Sequence, residues 1–350
     1  MTMKTHTVIY RLLALATLVC AGGHSAHSQF VPVISGGAGA LGGVNGGSPN
    51  IQTTIMPVIA VPLGSHLLVE SRGFIEGLYQ QKGRTGPYNG TAFTRLQYLQ
   101  FDYLASPKLT IAGGRYLTPF GTYNERLSAI WIPNFQDAPA VSAIGTRTSG
   151  SSNGGMVRGA LIATQKVQLN YVGYFSAFNQ GPKFTAGRTA GYQFDLYFPD
   201  QRLEIGTSYN RILQGVHSNN EGVHLWWQPY RVPFNFRSEY AHAAHSAGYW
   251  LESSYRLSKW GGDDSFVGRF EPAFRMQQTF RNSANTPGQS DALPSVGTQQ
   301  ADFGLDYHLP GEGRLNTSYS RVFSSTGNHN IWEMSLTYRL LIPIWGGHSK

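Results

Sequence analysis

Trp332-Glu333-Met334-Ser335-Leu336-Thr337-Tyr338-Arg339-Leu340 alternates apolar and polar residues without a break. Successive side chains of a strand point to opposite faces, so this stretch read as a strand has one greasy surface and one wet one. A helix with a single apolar stripe needs spacings of three and four, which the stretch lacks. The same period of two sets Tyr192, Phe194, Leu196 and Phe198 against Gln193, Asp195 and Tyr197. It also sets Val167, Leu169, Tyr171, Gly173 and Phe175 against Gln168, Asn170, Val172, Tyr174 and Ser176.

From these stretches outward, the chain repeats one grammar. Alternating segments of about eight to fourteen residues are separated by turn residues. Short turns fall at residues 62–65, 106–108, 164–166, 199–201, 229–232, 258–265 and 310–312. Longer links lie between them, around residues 81–89, 119–153, 179–183, 213–220, 243–247, 281–296 and 324–327. Short turns at one end and longer loops at the other are the habit of bacterial membrane barrels. Fifteen such segments follow Ile51. The first must run toward a short turn, so an opening strand has to precede it, and residues 30–34 supply it, with residues 36–50 as the first outer loop. The expected fold is therefore all-β: a transmembrane antiparallel barrel of sixteen strands over residues 29–350, with fourteen or eighteen as the alternatives.

Composition agrees with that grammar. Charged residues make up 13% of the 350, about half the share usual in soluble chains. Aromatics also reach 13%, and there are 42 glycines. A secreted β-sandwich of this length would need more charge on its solvent faces. At the N-terminus, Lys4 and Arg11 bracket the approach to an apolar run at residues 12–21, followed by Gly22, Gly23, Ser25, Ala26 and Ser28. That is the layout of a secretory signal, and cleavage is expected after Ser28. The run is too short to span a bilayer. The one cysteine, Cys20, lies inside it, so no disulfide or thiolate chemistry is expected in the mature chain. The whole chain carries +8; without Lys4 and Arg11, 25 basic residues face 19 acidic ones, leaving +6. The excess is too scattered to track a phosphate backbone, which argues against nucleic acid.

If the apolar face meets lipid, the polar face lines an interior. Parity then sends Arg72, Arg158, Arg237, Arg256, Arg269, Arg275 and Arg339 inward, with Glu70, Glu76, Asp195, Glu204, Glu239, Glu252, Glu271, Asp302, Asp306 and Glu333. In a dry core so many charges would be ruinous. Water inside the barrel makes them tolerable, so the expected function is an aqueous passage rather than an enzyme. The alternative is a barrel whose outer loops bind a partner without conducting. The longest link, residues 119–153, mixes Tyr123, Trp131 and Phe135 with Glu125, Arg126 and Asp137. A loop of that length is usually functional or disordered. Folded inward, it would pack its aromatics on the wall and turn its charges to the passage.

Gly114-Arg115, Pro119-Phe120-Gly121 and Glu125-Arg126-Leu127 resemble a signature of the phosphate-selective porin O/P family. The resemblance implies a sixteen-stranded outer-membrane porin, a trimer set among lipid and lipopolysaccharide, whose third loop narrows the pore. It implies pore or loop-anchoring roles for Arg115 and Arg126; Glu125 and Asp137 join them as expected constriction residues. The mature chain departs from that family in having few lysines: Lys82, Lys108, Lys166, Lys183, Lys259 and Lys350. The expected solutes are therefore small polar or anionic molecules. Gly37-Ala38-Gly39-Ala40-Leu41-Gly42 spells a dinucleotide fingerprint, but no helix follows it, and a flexible loop is the expectation. His242 and His245 have no evident third ligand. No cofactor, metal or catalytic residue is expected.

Overall fold

The computed structural model describes residues 32–83, 85–146, 150–181, 183–215, 217–281 and 293–343. The expected signal segment, residues 1–28, lies outside them. The strands run in chain order as β1 (Val33–Asn45), β2 (Ser48–Leu63), β3 (Leu67–Gln81), β4 (Tyr88–Ser106) and β5 (Leu109–Leu117). After a long connection come β6 (Ser151–Ala163), β7 (Gln168–Ser176), β8 (Thr189–Phe198), β9 (Leu203–Ile212), β10 (Ser218–Trp227) and β11 (Phe234–Ala243). The last five are β12 (Ser246–Tyr255), β13 (Phe270–Arg281), β14 (Thr298–His308), β15 (Gly313–Ser324) and β16 (His329–Pro343). Each pairs antiparallel with its chain neighbours, and β1 closes on β16, from Val33 opposite Pro343 to Asn45 opposite Ile331. The sixteen strands thus form one closed barrel. Closure removes the two free edges an open sheet would have, although β4 before Leu99 pairs with β3 alone.

The two faces of the sheet are inverted relative to a water-soluble protein. Ile55, Ile75, Phe101, Phe303, Trp332, Met334 and Leu336 are exposed, whereas Gln193, Ser208, Asn210, Asp302, Asn316 and Thr337 are buried. Cross-strand aromatic pairs knit the apolar face. Phe274 sits opposite Phe303 with ring centroids 5.1 Å apart, and Tyr319 opposite Trp332 at 4.5 Å. Among the described residues, no helix is long and apolar enough to cross a membrane.

Four sequence expectations need correction. Residues 36–50 are not the first outer loop, and the opening strand does not end at Ile34. Strand β1 continues to Asn45, then reverses through Gly46 and Gly47, whose φ values of 55° and 88° are both positive. That is a two-residue hairpin turn with positive φ at both central residues, which glycine enters without strain. The glycines of β1 serve close packing: a Cβ on Gly37 would fall 2.3 Å from the Trp131 ring, and one on Gly39 2.8 Å from Ile130. The fingerprint-like run from Gly37 to Gly42 is therefore strand. Pairing of β6 also begins at Ser151, so the long connection spans residues 118–150.

Candidate functional site

The connection between β5 and β6 starts with Pro119-Phe120-Gly121, and each residue after the proline has a built receptor on the wall. Phe120 is 2% exposed. It lies against Gly222, where a Cβ would stand 3.0 Å from the ring, and clusters with Ala241 and Trp250. Gly121 has φ +64°, and a Cβ there would overlap Glu239 Oε1 at 2.1 Å. Its N–H donates to Ser208 Oγ at 3.0 Å, and the Thr122 N–H donates to Glu239 Oε2 at 3.1 Å. Glycine is required here both by the left-handed φ and by the carboxylate pressed against it.

Beyond this anchor the connection makes one turn of wide helix, Tyr123–Leu127. Asn124 closes the neck, its Nδ2 donating to Thr118 O at 2.9 Å and Gly150 O at 2.7 Å. The chain then visits strand after strand. Arg72 on β3 donates to Ser128 Oγ at 2.9 Å. The Ile130 N–H reaches Met56 Sδ on β2 at 3.4 Å. Arg314 and Asn316 on β15 donate to the carbonyls of Pro133 and Asn134, the latter at 2.6 Å. Asn134 Nδ2 donates to Glu252 on β12 at 3.0 Å. Phe135, 1% exposed, packs on Gly304 of β14 and under the Arg275 guanidinium of β13, 4.6 Å from the ring centroid. Gln277 accepts the Ala140 N–H at 2.9 Å. Polar side chains of the strands thus satisfy backbone groups that a loop would otherwise give to water.

The expected site residues fall into distinct environments. Arg115 spends its donors on Leu96 O at 2.7 Å, Asn153 Oδ1 at 2.8 Å and Thr185 O at 3.3 Å. Arg126 is ion-paired with Glu204 and lies 4.3 Å over the Trp226 ring. Surrounding protein pushes the Glu125 carboxyl up to about 7; Arg158 and Arg126 pull it down, and Asp195 pushes it further up. Asp137 has an exposed side chain and offers its backbone carbonyl to Arg275 at 2.8 Å. Arg237 pairs with Glu252 at 2.6 Å, Arg275 with Asp302 at 2.6 Å, and Arg158 with Asp102 at 3.0 Å. Arg72 is buried, 5.3 Å over the Tyr98 ring. Arg256 and Arg269 sit in the link between β12 and β13, outside any strand, so alternation does not place them. With Arg339 they line a hollow of about 630 Å³ at the short-turn end, alongside Asp264, Glu312 and Arg314.

Alternation read from sequence missed Arg95, Gln97 and Asp102 on β4, His224 on β10 and Arg314 on β15. On β4 the cause is a bulge, where Arg72 faces Tyr98 but Gly73 faces Leu96. The bulge switches the polar face from Arg95 and Gln97 to Gln100 and Asp102. The change of phase from odd to even polar positions was the available signal. Between β1–β4, β16 and the long connection lies a cavity of about 380 Å³, whose lining includes Arg95, Gln97, Gln52, Tyr123, Asn124 and Asp137.

No protein-family model matches the sequence, and no curated protein matches it. Solved structures match its fold. OmpF of Salmonella typhi, in complex with daunomycin, is 11% identical over 90% of this chain and 99% of its own, with a TM-score of 0.58. The anion-selective porin from Comamonas acidovorans is 10% identical over 89% of this chain and 100% of its own, also at 0.58. A loop L8 deletion mutant of OmpT, an outer membrane protein of Vibrio cholerae, is 10% identical over 89% and 99%, again at 0.58. The chain has the barrel fold of these outer-membrane proteins. At such identity the likeness is one of fold.

Proposed function

We propose that this chain is an outer-membrane porin, a water-filled channel through which small polar or anionic solutes diffuse passively. The observation that carries the reading is the connection of residues 118–150. It bonds to polar-face residues of β2, β3, β9, β11, β12, β13 and β15. A segment that touches strands on opposite sides of a closed barrel reaches them from within. The segment is then the constriction, and the cavity beside Arg95 and Asp137 is the passage it leaves open. Ionisable groups on the polar face are consistent with water there. The barrel sits in lipid with its longer loops toward lipopolysaccharide, after export through a cleaved signal at residues 1–28, and assembles as a homotrimer in keeping with the family resemblance around residues 114–127.

A modest anion preference follows from the mature excess of +6 and from Arg72 and Arg95, which have no carboxylate within 4.0 Å among the described residues. Bilayer conductance tests the reading. Purified protein should give discrete steps, and removing part of residues 129–143 should enlarge them while the barrel keeps its heat-dependent gel mobility. Silent bilayers together with specific surface binding would favour the adhesion alternative.

A further inference from the structure

Three neighbouring strands place a histidine and two carboxylates around one point. Asp195 on β8 is opposite Gly206 on β9, and Gly206 is opposite His224 on β10, so the three share one row of the polar face. Glu204 lies two residues along β9 from Gly206 and therefore on the same face. Gly206 makes the meeting possible. A Cβ there would fall 2.2 Å from His224 Cε1 and 2.4 Å from both His224 Nε2 and Asp195 Oδ1. Asp195 and His224 thus converge over a position kept empty of side chain.

The spacing matches a coordination shell and is long for a charge-assisted hydrogen bond. His224 Nε2 is 3.3 Å from Asp195 Oδ1 and 3.5 Å from Glu204 Oε1. Charge-assisted hydrogen bonds close to about 2.7–2.9 Å. Ligands about 2.0–2.2 Å from a tetrahedral Zn²⁺ stand about 3.3–3.5 Å from each other. One ligand atom from each residue lies within 4.8 Å of the others. The imidazole is buried, at 3% exposure, and neither ring nitrogen has a hydrogen-bond partner of good geometry. A buried imidazole held only by long contacts to two carboxylates, with no well-aligned hydrogen bond at either nitrogen, is incompletely satisfied. The two carboxylates above it remain partly exposed, at 16% and 13%, and so give an ion a way in.

We propose that Asp195, Glu204 and His224 form a binding site for a divalent transition metal of the zinc type on the inner barrel wall, with Arg126 as its competitor. Two carboxylates and an imidazole that gives up its proton on binding offer two negative charges, which a divalent ion balances, and a mixed nitrogen and oxygen set suits zinc better than calcium or magnesium. Arg126 donates to the same Glu204 Oε1. Its guanidinium supplies part of the positive charge that the metal brings, and must leave that oxygen when the metal binds.

The test is calorimetric titration of Zn²⁺ into chelator-treated protein in detergent, paralleled by Co²⁺ absorption. It needs no channel activity, so it can fail while the porin reading stands. One equivalent per chain is expected, with intense tetrahedral-type Co²⁺ bands. H224Q and E204Q should each weaken binding at least tenfold while keeping heat-dependent gel mobility, which shows that the barrel folds. R126A should tighten binding several-fold, and a variant lacking both His242 and His245 should bind as the parent does. Absence of saturable binding, or binding that survives H224Q and E204Q but disappears with His242 and His245, overturns the proposal.

Discussion

The wall from β11 to β15 and the wall from β2 to β4 handle cations differently. On the first, each of three arginines stands beside a carboxylate: Arg237 with Glu252, Arg275 with Asp302, and Arg314 with Asp306 at 3.6 Å. Arg275 and Arg314 also hold carbonyls of the long connection. On the second, Arg95 lies 4.5 Å over the Phe74 ring, and Arg72 meets Tyr98 and Ser128. Neither has an ion-pair partner among the described residues, and the cavity opens beside Arg95. Total charge therefore says little about this inner wall: Arg275 and Arg314, each beside a carboxylate, hold the connection, whereas Arg95, with no carboxylate within 4.0 Å among the described residues, borders the cavity.

The two walls should differ most in what they contribute to stability. Arg275→Ala should strand Asp302, which is fully buried, and weaken the barrel by about 3–5 kcal/mol, the usual cost of an uncompensated buried charge. Arg95→Ala, which breaks no ion pair and deprives only Glu76 of a more distant positive neighbour, should cost less, about 1 kcal/mol. Urea unfolding in detergent, followed by loss of the folded gel band, measures both. Equal losses would show that the two walls are not different in kind.

Selectivity should respond in the opposite order. In a narrow passage of low dielectric each bare charge counts for more than on a wide wall. Arg95→Ala is expected to lower the anion-to-cation permeability ratio about two- to threefold, well under the 1.4 kcal/mol of a tenfold change. Arg115→Ala combined with Arg126→Ala should also move the reversal potential toward cations, but less, because Arg126 is already paired with Glu204. High salt should mute every such shift, since a Debye length is about 10 Å at 0.1 M. A parent channel that prefers cations would remove the premise.

The smallest expected effect is that of pH. Glu125 is held up to about 7, chiefly by the protein packed around it. Its charge therefore appears as pH rises through that value, whereas an ordinary carboxyl would already be ionised. Anion preference should decline between pH 6 and 8, and Glu125→Gln should flatten the change. The same raised value means that whatever stability the neutral carboxyl contributes is present at low pH and lost as pH climbs through 7. Reversal potentials at three pH values decide it.

The alternation in Trp332–Leu340 was enough to call for strands, because a period of two is a local property of the backbone. The turn residues between segments were enough to order short and long connections, and the parity of the count then demanded an opening strand. The glycines of β1 defeated the same method, since alternation is carried by side chains and glycine has none. The bulge in β4 defeated it again, by switching phase within one strand. Arg237, Arg275 and Arg72 could be assigned to the polar face from sequence, but not which of them would be neutralised. That depends on Glu252, Asp302 and the loop carbonyls meeting them across the barrel. Periodicity acts between neighbours in the chain and is written there; ion pairs, the seat of Phe120 on Gly222 and the row joining Asp195 to His224 are made between distant residues, and only closure of the sheet brings them together.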